Sequence, residues 1–228
     1  MKKLVFVGGS KGLGKKLIKN LSLSYDVINL SRSKSNLKNV KDIYCDIKNY
    51  QSVKKAFYKI KNINVLINNS GISSFSKNYI KNFNQIIDVN LKGIFYCCYE
   101  AIPLLKKNKS SAIINIGSIN AYTAFPNNPG YVSSKGGLIS LTRSLALDYG
   151  KYGIKVNCIS PGYLNEGMAK KSFSNKKEKK KRIDRMIIKR FGSHNDIIGL
   201  LKLLISETEG YITGQDLVVD GGWLARGL

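Results

Sequence analysis

A glycine-rich turn near the amino terminus restricts the folds open to this chain more than any other feature. The apolar run at residues 4–7 is typical of a strand that a parallel sheet buries on both faces. The turn follows directly, with the sequence GGSKGLG at residues 8–14, and apolar residues at helical spacing follow the turn. Glycines here let the backbone approach a pyrophosphate, and the N-terminus of the helix attracts its charge. The start of the chain therefore predicts a strand, turn and helix that bind a dinucleotide.

The rest of the chain alternates between short apolar runs and segments of helical period. Runs typical of strands recur at residues 26–30, 43–45, 65–67, 112–116, 154–159 and 217–219. Helical periodicity covers residues 15–23, 53–60, 86–105, 131–147 and 197–205. This order predicts a single α/β domain over residues 1–228, because the chain is long enough for one sizeable core and no linker divides it.

Two segments depart from this alternation. Residues 33–42 are short and polar, so the crossover helix between the second and third strands is expected to be reduced or absent. Residues 165–190 are polar, crowded with lysine and poorly periodic, which predicts a mobile excursion within the domain.

The segment from Ser118 to Lys135 carries the residues expected to perform chemistry. A strand is predicted to end at Ser118 and a helix to begin near Tyr131. Tyr131 and Lys135 are four residues apart and share a face of that helix, where an ammonium group beside a phenol lowers the pKa of the phenol. Such a tyrosine is a candidate general acid or base, and Ser118 can donate a hydrogen bond to a substrate carbonyl oxygen. The spacing Y-x-x-x-K also arises by chance, so the motif alone does not establish an active site.

The residues after the second strand indicate which nicotinamide cofactor is bound. An acidic residue about 20 positions after the glycines binds the ribose 2′-hydroxyl of NAD, whereas an arginine there accommodates the 2′-phosphate of NADP. This chain has Ser31 and Arg32, and Lys11 in the glycine turn adds a second cation. We therefore expect NADP(H).

The chain is strongly basic. It has 38 Lys and Arg residues against 14 Asp and Glu residues, a formal net charge of +24, which makes nucleic acid, an acidic membrane or an acidic protein a candidate partner. Lysine, asparagine and isoleucine are abundant along the whole chain, however, so most of the lysines are expected on solvated faces.

Cysteine and histidine usage gives no indication of a metal site. The cysteines at positions 45, 97, 98 and 158 have no C-x-x-C spacing, and His194 is the only histidine. We expect the thiols to be core residues in a reducing compartment. The apolar runs are too short for an export signal or for the ~18 residues of a membrane span, which predicts a cytoplasmic protein without membrane insertion.

A series of residue groups, in this order along the chain, resembles the short-chain dehydrogenase/reductase family. The groups are Gly8, Gly12 and Gly14; Asp46; Asn68 to Gly71; Asn90; Ser118; Tyr131 with Lys135; Pro161 and Gly162; Tyr211 to Gln215; and Asp220 to Gly222. A chance Y-x-x-x-K motif would not bring the others at compatible spacings, so the resemblance turns that motif into a predicted active site. It implies a Rossmann-type fold, a doubly wound parallel sheet of about seven strands in three α/β/α layers, in agreement with the alternation above.

The resemblance also implies roles for individual residues. Tyr131 is the expected general acid that protonates a carbonyl oxygen while NADPH delivers hydride to the carbon. Lys135 is expected to bind the nicotinamide ribose and to lower the pKa of Tyr131, and Ser118 to orient the carbonyl. Asn90 is expected to hold a water in a proton relay behind Lys135, and Asp46 to contact the adenine.

The same resemblance implies a set of residues around the cofactor and a lid over the substrate cleft. By its position after Pro161 and Gly162, the 165–190 segment is the expected lid, and the members of the family are commonly tetramers or dimers. The implied cofactor residues are Gly8, Ser10, Lys11, Gly12, Leu13, Gly14, Ser31, Arg32, Asp46, Ile47, Asn68, Ser70, Gly71, Tyr131, Lys135, Pro161, Gly162 and Leu164.

Three features depart from the family pattern. The family usually has Thr before the first glycine, and this chain has Val7, so a hydroxyl that braces the turn is missing. The family usually has Thr four residues after Gly162, and Glu166 here would bring a carboxylate close to the cofactor phosphates. The short 33–42 segment is expected to leave the adenine end of the site more exposed than usual.

Within the family, the overall pattern and the ending Gly-Gly-Trp resemble 3-oxoacyl-[acyl carrier protein] reductases most. The first hypothesis is an NADPH-dependent ketone reductase acting on an acyl-carrier-protein thioester, which the cationic run at residues 176–182 would attract. The alternative enzyme acts on an anionic sugar or nucleotide-sugar in surface-polysaccharide synthesis. A non-catalytic protein that senses NADP or binds nucleic acid is the third hypothesis, and the intact Ser118, Tyr131 and Lys135 argue against it.

Overall fold

The computed structural model describes residues 1–167, 175–206 and 210–226. Within these residues, seven parallel strands form one sheet in the order β3-β2-β1-β4-β5-β6-β7. The strands are β1 (Lys3–Val7), β2 (Asp26–Ser31), β3 (Val40–Tyr44), β4 (Val65–Asn68), β5 (Ser111–Ile116), β6 (Ile154–Pro161) and β7 (Asp216–Val219). The helices are α1 (Gly12–Leu21), α2 (Tyr50–Tyr58), α3 (Tyr79–Ile87), α4 (Gly93–Leu105), α5 (Pro129–Tyr149), α6 (Lys176–Arg185) and α7 (His194–Ser206). The predicted doubly wound α/β sheet is confirmed.

Helices cover both faces of the sheet. In β1, Val5 and Val7 pack in an apolar cluster with α2, α4 and α5, whereas Leu4 and Phe6 pack in a second cluster with α1 and α7. Successive residues of a strand point to opposite faces, so a strand covered on both sides is a continuous apolar run. This burial explains why the strands were recognisable in the sequence.

The order of the strands positions the candidate site. β1 pairs with both β2 and β4, so the chain winds outward in one direction as far as β3 and in the other direction from β4 to β7. Open α/β sheets bind ligands in the crevice at the carboxyl ends of the strands where this reversal occurs. The glycine turn follows β1 and Ser70 and Gly71 follow β4, so both meet at that crevice.

The helical segment before β5 begins earlier than its periodicity indicated. α3 starts at Tyr79 rather than near Ile86, and the Oδ1 atom of Asn78 caps it by accepting a hydrogen bond from the Lys81 N–H at 2.9 Å. Only Asn82 and Ile86 of α3 are buried, and its apolar residues Tyr79, Ile80 and Phe83 are exposed, so the apolar residues of this part do not mark a buried face. A π-helical turn at Asp88–Lys92 then joins α3 to α4.

The connection between β2 and β3 lacks a helix over residues 32–39, as the sequence predicted. β3 begins at Val40, three residues before the predicted strand. Buried polar side chains occupy the space beneath this connection, and Asn29 and Ser35 are completely buried.

The lysine-rich run after β6 is helical, which its poor periodicity did not indicate. The Oδ1 atom of Asn175 caps α6 by accepting from the N–H groups of Lys177 and Glu178, at 2.9 and 3.3 Å. Lysine, arginine and glutamate are good helix formers, so local propensity and a cap outweigh the missing apolar period. Residues 168–174 of the expected lid lie outside the described residues, and movement of the lid stays a prediction.

Helix composition in the described ranges bears on membrane insertion. None of the helices there is both long and apolar enough to cross a bilayer.

The four cysteines are free and buried, as expected of core residues. Among the residues with a described position, no group of three or more His, Cys, Asp or Glu side chains could hold a metal ion.

Candidate active site

Ser118, Tyr131 and Lys135 lie together where β5 ends and α5 begins. Gly117 and Ser118 follow β5 directly, and Pro129 is the first residue of α5. The Oδ1 atom of Asn128 caps α5 by accepting from the Tyr131 N–H at 3.3 Å. The Ser118 hydroxyl forms a hydrogen bond with the Tyr131 hydroxyl, and the side chains of Ser118, Tyr131 and Lys135 are all buried. The structure thus brings together the three residues that the sequence singled out.

The environment of Tyr131 differs from the expectation in one respect. Burial raises the pKa of Tyr131 above its usual value, and the hydrogen bond with Ser118 opposes that rise. The prediction that Lys135 lowers this pKa is therefore wrong. The Lys135 Nζ atom lies 5.8 Å from the Tyr131 ring centre, and it donates to the Ile116 carbonyl at 2.7 Å. A phenol that keeps its proton at neutral pH is suited to act as a general acid.

Lys135 is an amine buried in the base of the site. Its removal from water lowers its pKa to about 8. The amine is therefore mostly protonated at pH 7 but close to releasing its proton.

Asn90 lies in the π-helical turn and is completely buried. Its Oδ1 atom accepts from the Ile72 N–H at 2.8 Å, and its Nδ2 atom donates to the Ile72 carbonyl at 2.9 Å and to the Ser134 hydroxyl at 3.2 Å. These contacts give Asn90 a structural role, because they hold the segment after β4 against α5. A Cβ atom on Gly71 would lie 3.5 Å from Asn90 Oδ1 and 3.8 Å from Lys135 Nζ, so the three residues are neighbours. The relay role of Asn90 stays a prediction.

The glycine turn forms a cradle that side chains would fill. Gly8 has a φ of +89° and Gly12 a φ of +58°, a region that favours glycine. A Cβ atom on Gly8 would collide with Ser70, and one on Gly14 would collide with the Gly8 carbonyl. The turn leads into the N-terminus of α1, whose free N–H groups attract phosphate. The cradle therefore fits the pyrophosphate of a dinucleotide.

Two asparagines brace this turn. Asn69 donates through Nδ2 to the Gly8 carbonyl at 2.9 Å. Asn29 accepts through Oδ1 from the Gly9 N–H at 2.8 Å. Sequence reasoning did not select Asn29, although a polar residue in the middle of an apolar strand was a usable signal.

The residues predicted at the adenosine end flank the carboxyl edge of β2 and β3. Arg32 and Lys11 are exposed, and the half-buried Ser31 donates its hydroxyl to the Ser33 carbonyl. Asp46 accepts from the Lys48 N–H at 3.1 Å, and Ile47 beside it is buried. Arg32 and Lys11 are therefore exposed to solvent near the edge of the sheet where the ribose phosphate of the cofactor is expected.

The side chain of Asn68 points into the protein interior. Its Nδ2 atom donates to Asn115 Oδ1 at 2.9 Å and to Cys98 Sγ at 3.2 Å, and the residue is 1% exposed. This side chain ties β4 to β5 and α4 beneath the crevice. A cofactor contact at Asn68 would therefore involve its backbone, whereas Ser70 and Gly71 are only half-buried.

The segment after β6 covers the glycine turn. Gly162 donates to the Val219 carbonyl at 2.9 Å, and Leu164 forms a parallel bridge with Gly192. A Cβ atom on Gly12 would lie 3.2 Å from the Cα atom of Gly167. A cavity of about 300 Å³ remains here, lined by Gly12, Lys15, Lys16, Asn165, Glu166 and Gly167.

Glu166 is paired with a lysine and a histidine in this position. Its Oε1 atom accepts from Lys16 Nζ at 2.7 Å and from His194 Nδ1 at 2.9 Å, while its Oε2 atom is buried without a partner among the described residues. Burial acts to raise the pKa of Glu166, but the hydrogen bonds from Lys16 and His194 outweigh it and hold the pKa below its usual value. The carboxylate thus links this segment to α1 and α7.

Aromatic side chains surround the candidate site. The Phe125 ring meets the Tyr131 ring edge-on at 6.1 Å between centres, and Phe75 lies 6.3 Å from Phe125. After β6, the Tyr163 and Trp223 rings are 4.7 Å apart. Arg182 and Arg185 of α6 lie over these two rings, at 5.3 and 4.6 Å. These contacts depend on tertiary structure and carried no signal in the sequence.

Known proteins resemble this chain over nearly its whole length. A family model described as Enoyl-(Acyl carrier protein) reductase matches residues 26–224. The 3-oxoacyl-[acyl-carrier-protein] reductase FabG of Rickettsia bellii is 34% identical over 235 residues, covering 96% of this chain and 95% of the relative.

Solved structures share the fold. The aldohexose dehydrogenase of Thermoplasma acidophilum has a TM-score of 0.92 at 30% identity and covers 99% of this chain and 95% of its own. ElxO with NADP bound has a TM-score of 0.88 at 28% identity, and 4-hydroxyisoleucine dehydrogenase complexed with NADH has 0.90 at 30%; each covers 99% of this chain and 100% of its own. The chain therefore belongs to the short-chain dehydrogenase/reductase family of oxidoreductases.

Proposed function

We propose that this protein is an NADPH-dependent reductase that converts a ketone to a secondary alcohol, with a 3-oxoacyl thioester of acyl carrier protein as its leading substrate. The observation that carries the proposal is the buried group of Ser118, Tyr131 and Lys135 at the mouth of a cradle that fits a dinucleotide. The reaction is reversible, and the chemistry of the residues is the same in both directions.

The roles of the side chains follow from their contacts. Tyr131 donates its proton to the carbonyl oxygen, and the Ser118 hydroxyl, already hydrogen-bonded to Tyr131, donates to the same oxygen. The bound nicotinamide cofactor supplies the hydride for the carbonyl carbon. Lys135 is mostly protonated at pH 7, so it stabilises the phenolate that remains and can return a proton to it. Burial of all three groups excludes water and strengthens these interactions.

The preference for NADP(H) rests on two exposed cations. Arg32 follows β2 and Lys11 precedes α1, and no acidic residue follows β2 at the position that would bind a ribose 2′-hydroxyl. A 2′-phosphate between them would gain charge-assisted hydrogen bonds. Solved relatives carry NADP in one case and NADH in another, so these residues, rather than the fold, support this part of the proposal.

The carrier-protein substrate is supported by the relatives and by the charge of α6. Relatives across the chain's full length are 3-oxoacyl-[acyl-carrier-protein] reductases. The ten residues of α6 include seven Lys or Arg residues and two acidic ones, and its arginines contact Tyr163 and Trp223 beyond β6. A cationic helix at this point attracts an acidic partner through long-range electrostatic steering. We further propose that the enzyme acts as a homotetramer or homodimer, as members of the family commonly do.

The similarity to an aldohexose dehydrogenase favours a second candidate. The same cations would serve an anionic sugar or nucleotide-sugar. The substrate experiment therefore measures cofactor oxidation by the purified enzyme with three substrates: a 3-oxoacyl carrier protein, an aldohexose, and a nucleotide-sugar whose sugar carries a ketone. Oxidation of the aldohexose is measured separately, in the reverse direction.

We expect kcat/KM to be at least about tenfold higher for the carrier-bound ketone, a difference of about 1.4 kcal/mol. A higher value for either sugar would replace the first candidate with the second. NADPH binding without turnover of any of these substrates would contradict both.

A further inference from the structure

A buried polar network lies beneath the β2–β3 connection, where the crossover helix is missing. It joins Asn29 of β2, Asp42 of β3 and Ser35 of the connecting loop. Asn29 and Ser35 are completely buried and Asp42 is half-buried. Burying polar groups in this way costs free energy unless they form hydrogen bonds, so the loss of one partner would leave a buried polar group unpaired.

Each contact of the network has a defined direction. The Gly9 N–H donates to Asn29 Oδ1 at 2.8 Å, and Asn29 Nδ2 donates to Asp42 Oδ1 at 2.7 Å. The other Asp42 oxygen, Oδ2, accepts from the Ser35 N–H and from the Ser35 hydroxyl, both at 3.0 Å.

The carboxylate of Asp42 decides which way the Asn29 amide faces. An ionised carboxylate only accepts hydrogen bonds, so it selects the NH₂ end of the amide and leaves the oxygen for Gly9. The opposite orientation would place the amide oxygen against a carboxylate and the NH₂ group against the Gly9 N–H. Asp42 therefore acts on the glycine turn through Asn29, although it does not touch the turn.

The network also reaches the expected ribose position. Asn29 Nδ2 donates to the Ser31 hydroxyl at 3.3 Å, and the Ser31 hydroxyl donates to the Ser33 carbonyl. Arg32 lies between these two serines. One set of contacts thus fixes the turn at the pyrophosphate and the loop beside the 2′ position.

We propose that Asp42 is a positioning residue for the nucleotide, which holds the glycine turn through Asn29 and the 31–35 loop through Ser35 in their binding geometry. This arrangement supports the turn and the loop with polar side chains where the crossover helix is absent. The inference depends on nucleotide binding at this turn and not on the identity of the substrate.

An exchange of the two side chains tests this directly. Asn29→Asp sets two carboxylates against each other, and Asp42→Asn removes the group that selects the amide orientation. In the double variant Asn29→Asp/Asp42→Asn, the new carboxylate accepts from Gly9 and from the new amide at position 42, whose oxygen accepts from Ser35. The double variant therefore restores the contacts to Gly9, between positions 29 and 42, and to Ser35 with the roles of the two side chains reversed, and loses only the long contact from position 29 to the Ser31 hydroxyl. Asp26→Asn, which removes an exposed acid from the same strand, is the control.

The measurements use the purified full-length protein. Dissociation constants for NADPH and NADH are measured by titration calorimetry, hydrogen exchange is measured at the Gly9 amide, and the melting temperature is recorded without cofactor. We expect each single variant to weaken the binding of the preferred cofactor by about tenfold or more and to speed exchange at Gly9. We expect the double variant to restore both to within about threefold of the unmodified protein, and Asp26→Asn to change neither.

Two results would overturn the proposal. One is a single variant with a lower melting temperature but an unchanged dissociation constant, which would make the network purely structural. The other is a folded double variant that binds as weakly as the single variants. If the unmodified protein prefers NADH, the NADP assignment fails while the same comparison, made with NADH, still tests Asp42.

Discussion

At the scale of single residues, the site depends on groups that are held out of water. Tyr131 is a buried phenol whose pKa is raised, and Lys135 is a buried amine whose pKa is lowered to about 8. Both shifts favour the neutral forms, so proton transfer from Tyr131 leaves a charge that Ser118 and Lys135 must stabilise. The Y-x-x-x-K spacing made Tyr131 and Lys135 candidates, and the resemblance to the family made them, with Ser118, a predicted site. The spacing argument gave the wrong direction for the Tyr131 pKa, because that direction depends on burial and on the bond from Lys135 to Ile116.

The buried amine makes stability depend on pH in a defined window. The pKa of Lys135 is about 8 in the folded state and about 10.4 in an unfolded chain, so the unfolded state binds more protons between these values. Burying the charge thus destabilises the fold fully below pH ~8, and this cost is lost as pH rises towards ~10.4. We expect Lys135→Met to be more stable than the unmodified protein by about 1–3 kcal/mol at pH 7, with a difference that shrinks over this window.

Denaturant unfolding at a series of pH values measures this difference. Lys19→Met, which removes an exposed lysine of α1, is the matched control. A Lys135→Met difference that stayed constant from pH 7 to about 10.5 would contradict the assigned burial of charge.

At the scale of elements, the β2–β3 connection shows what the sequence could and could not predict. The short polar sequence of residues 33–42 predicted a reduced or absent crossover helix, and residues 32–39 form no helix. The pairing of Asn29, Asp42 and Ser35 could not be predicted, because it joins residues of two strands and a loop whose register the sequence does not specify. Side chains, instead of a packed helix, therefore hold this connection at the proposed cofactor end of the site.

Substitutions at the start of this connection test the choice between NADPH and NADH. We expect NADPH to bind at least about tenfold more tightly than NADH, which requires about 1.4 kcal/mol, within the range of one charge-assisted contact. The combined change Ser31→Asp and Arg32→Ala supplies an acceptor for a ribose hydroxyl and removes a cation, so it should erase or reverse the preference. Titration with both cofactors measures this, and equal affinities in the unmodified protein would contradict the role given to Arg32 and Lys11.

Substitutions in α6 test whether its positive charge attracts an acidic substrate. Its lysines at 179, 180 and 181 are exposed, and exposed charges act over about 10 Å at 0.1 M salt. With Lys179, Lys180 and Lys181 changed to Ser, we expect kcat/KM for a carrier-bound ketone to fall and its dependence on salt to flatten. A small neutral ketone should be unaffected.

A matched variant separates local steering from overall charge. Changing the exposed lysines 54, 55 and 59 at α2 to Ser removes the same charge elsewhere. Equal losses in both variants, or equal losses for both substrates, would rule out steering by α6.

At the scale of the whole molecule, the sheet order brings distant parts of the chain to one crevice. The strands were predictable because they are buried on both faces, and the glycine turn and the candidate site residues could be proposed because they form motifs whose spacing is set by local structure. Contacts between elements were not predictable. The link from Glu166 to Lys16 and His194 joins the segment after β6 to α1 and α7, and the sequence indicated only an unfavourable carboxylate there.

This link makes a testable contribution to global stability. The pKa of Glu166 is lowered in the folded state, so its contribution is complete above the usual glutamate pKa of about 4.3 and is lost as pH falls through the lower folded value. We expect Glu166→Gln to reduce the free energy of unfolding by about 1–3 kcal/mol at pH 7, and by progressively less below pH ~4. Glu178→Gln, which removes a glutamate of α6 whose side chain is 46% exposed, serves as the control. A loss that persisted unchanged down to pH ~2 would contradict the ion-pair assignment.

In the proposed reaction, Tyr131 supplies the proton for ketone reduction by NADPH. The most direct measurement follows NADPH oxidation with a 3-oxoacyl carrier protein in the unmodified enzyme and in Tyr131→Phe, together with the NADPH dissociation constant of each. The variant keeps the ring and removes the transferable proton, so we predict that kcat falls by about 10² to 10⁴ while NADPH binding changes little. Retention of most activity by Tyr131→Phe would contradict the account.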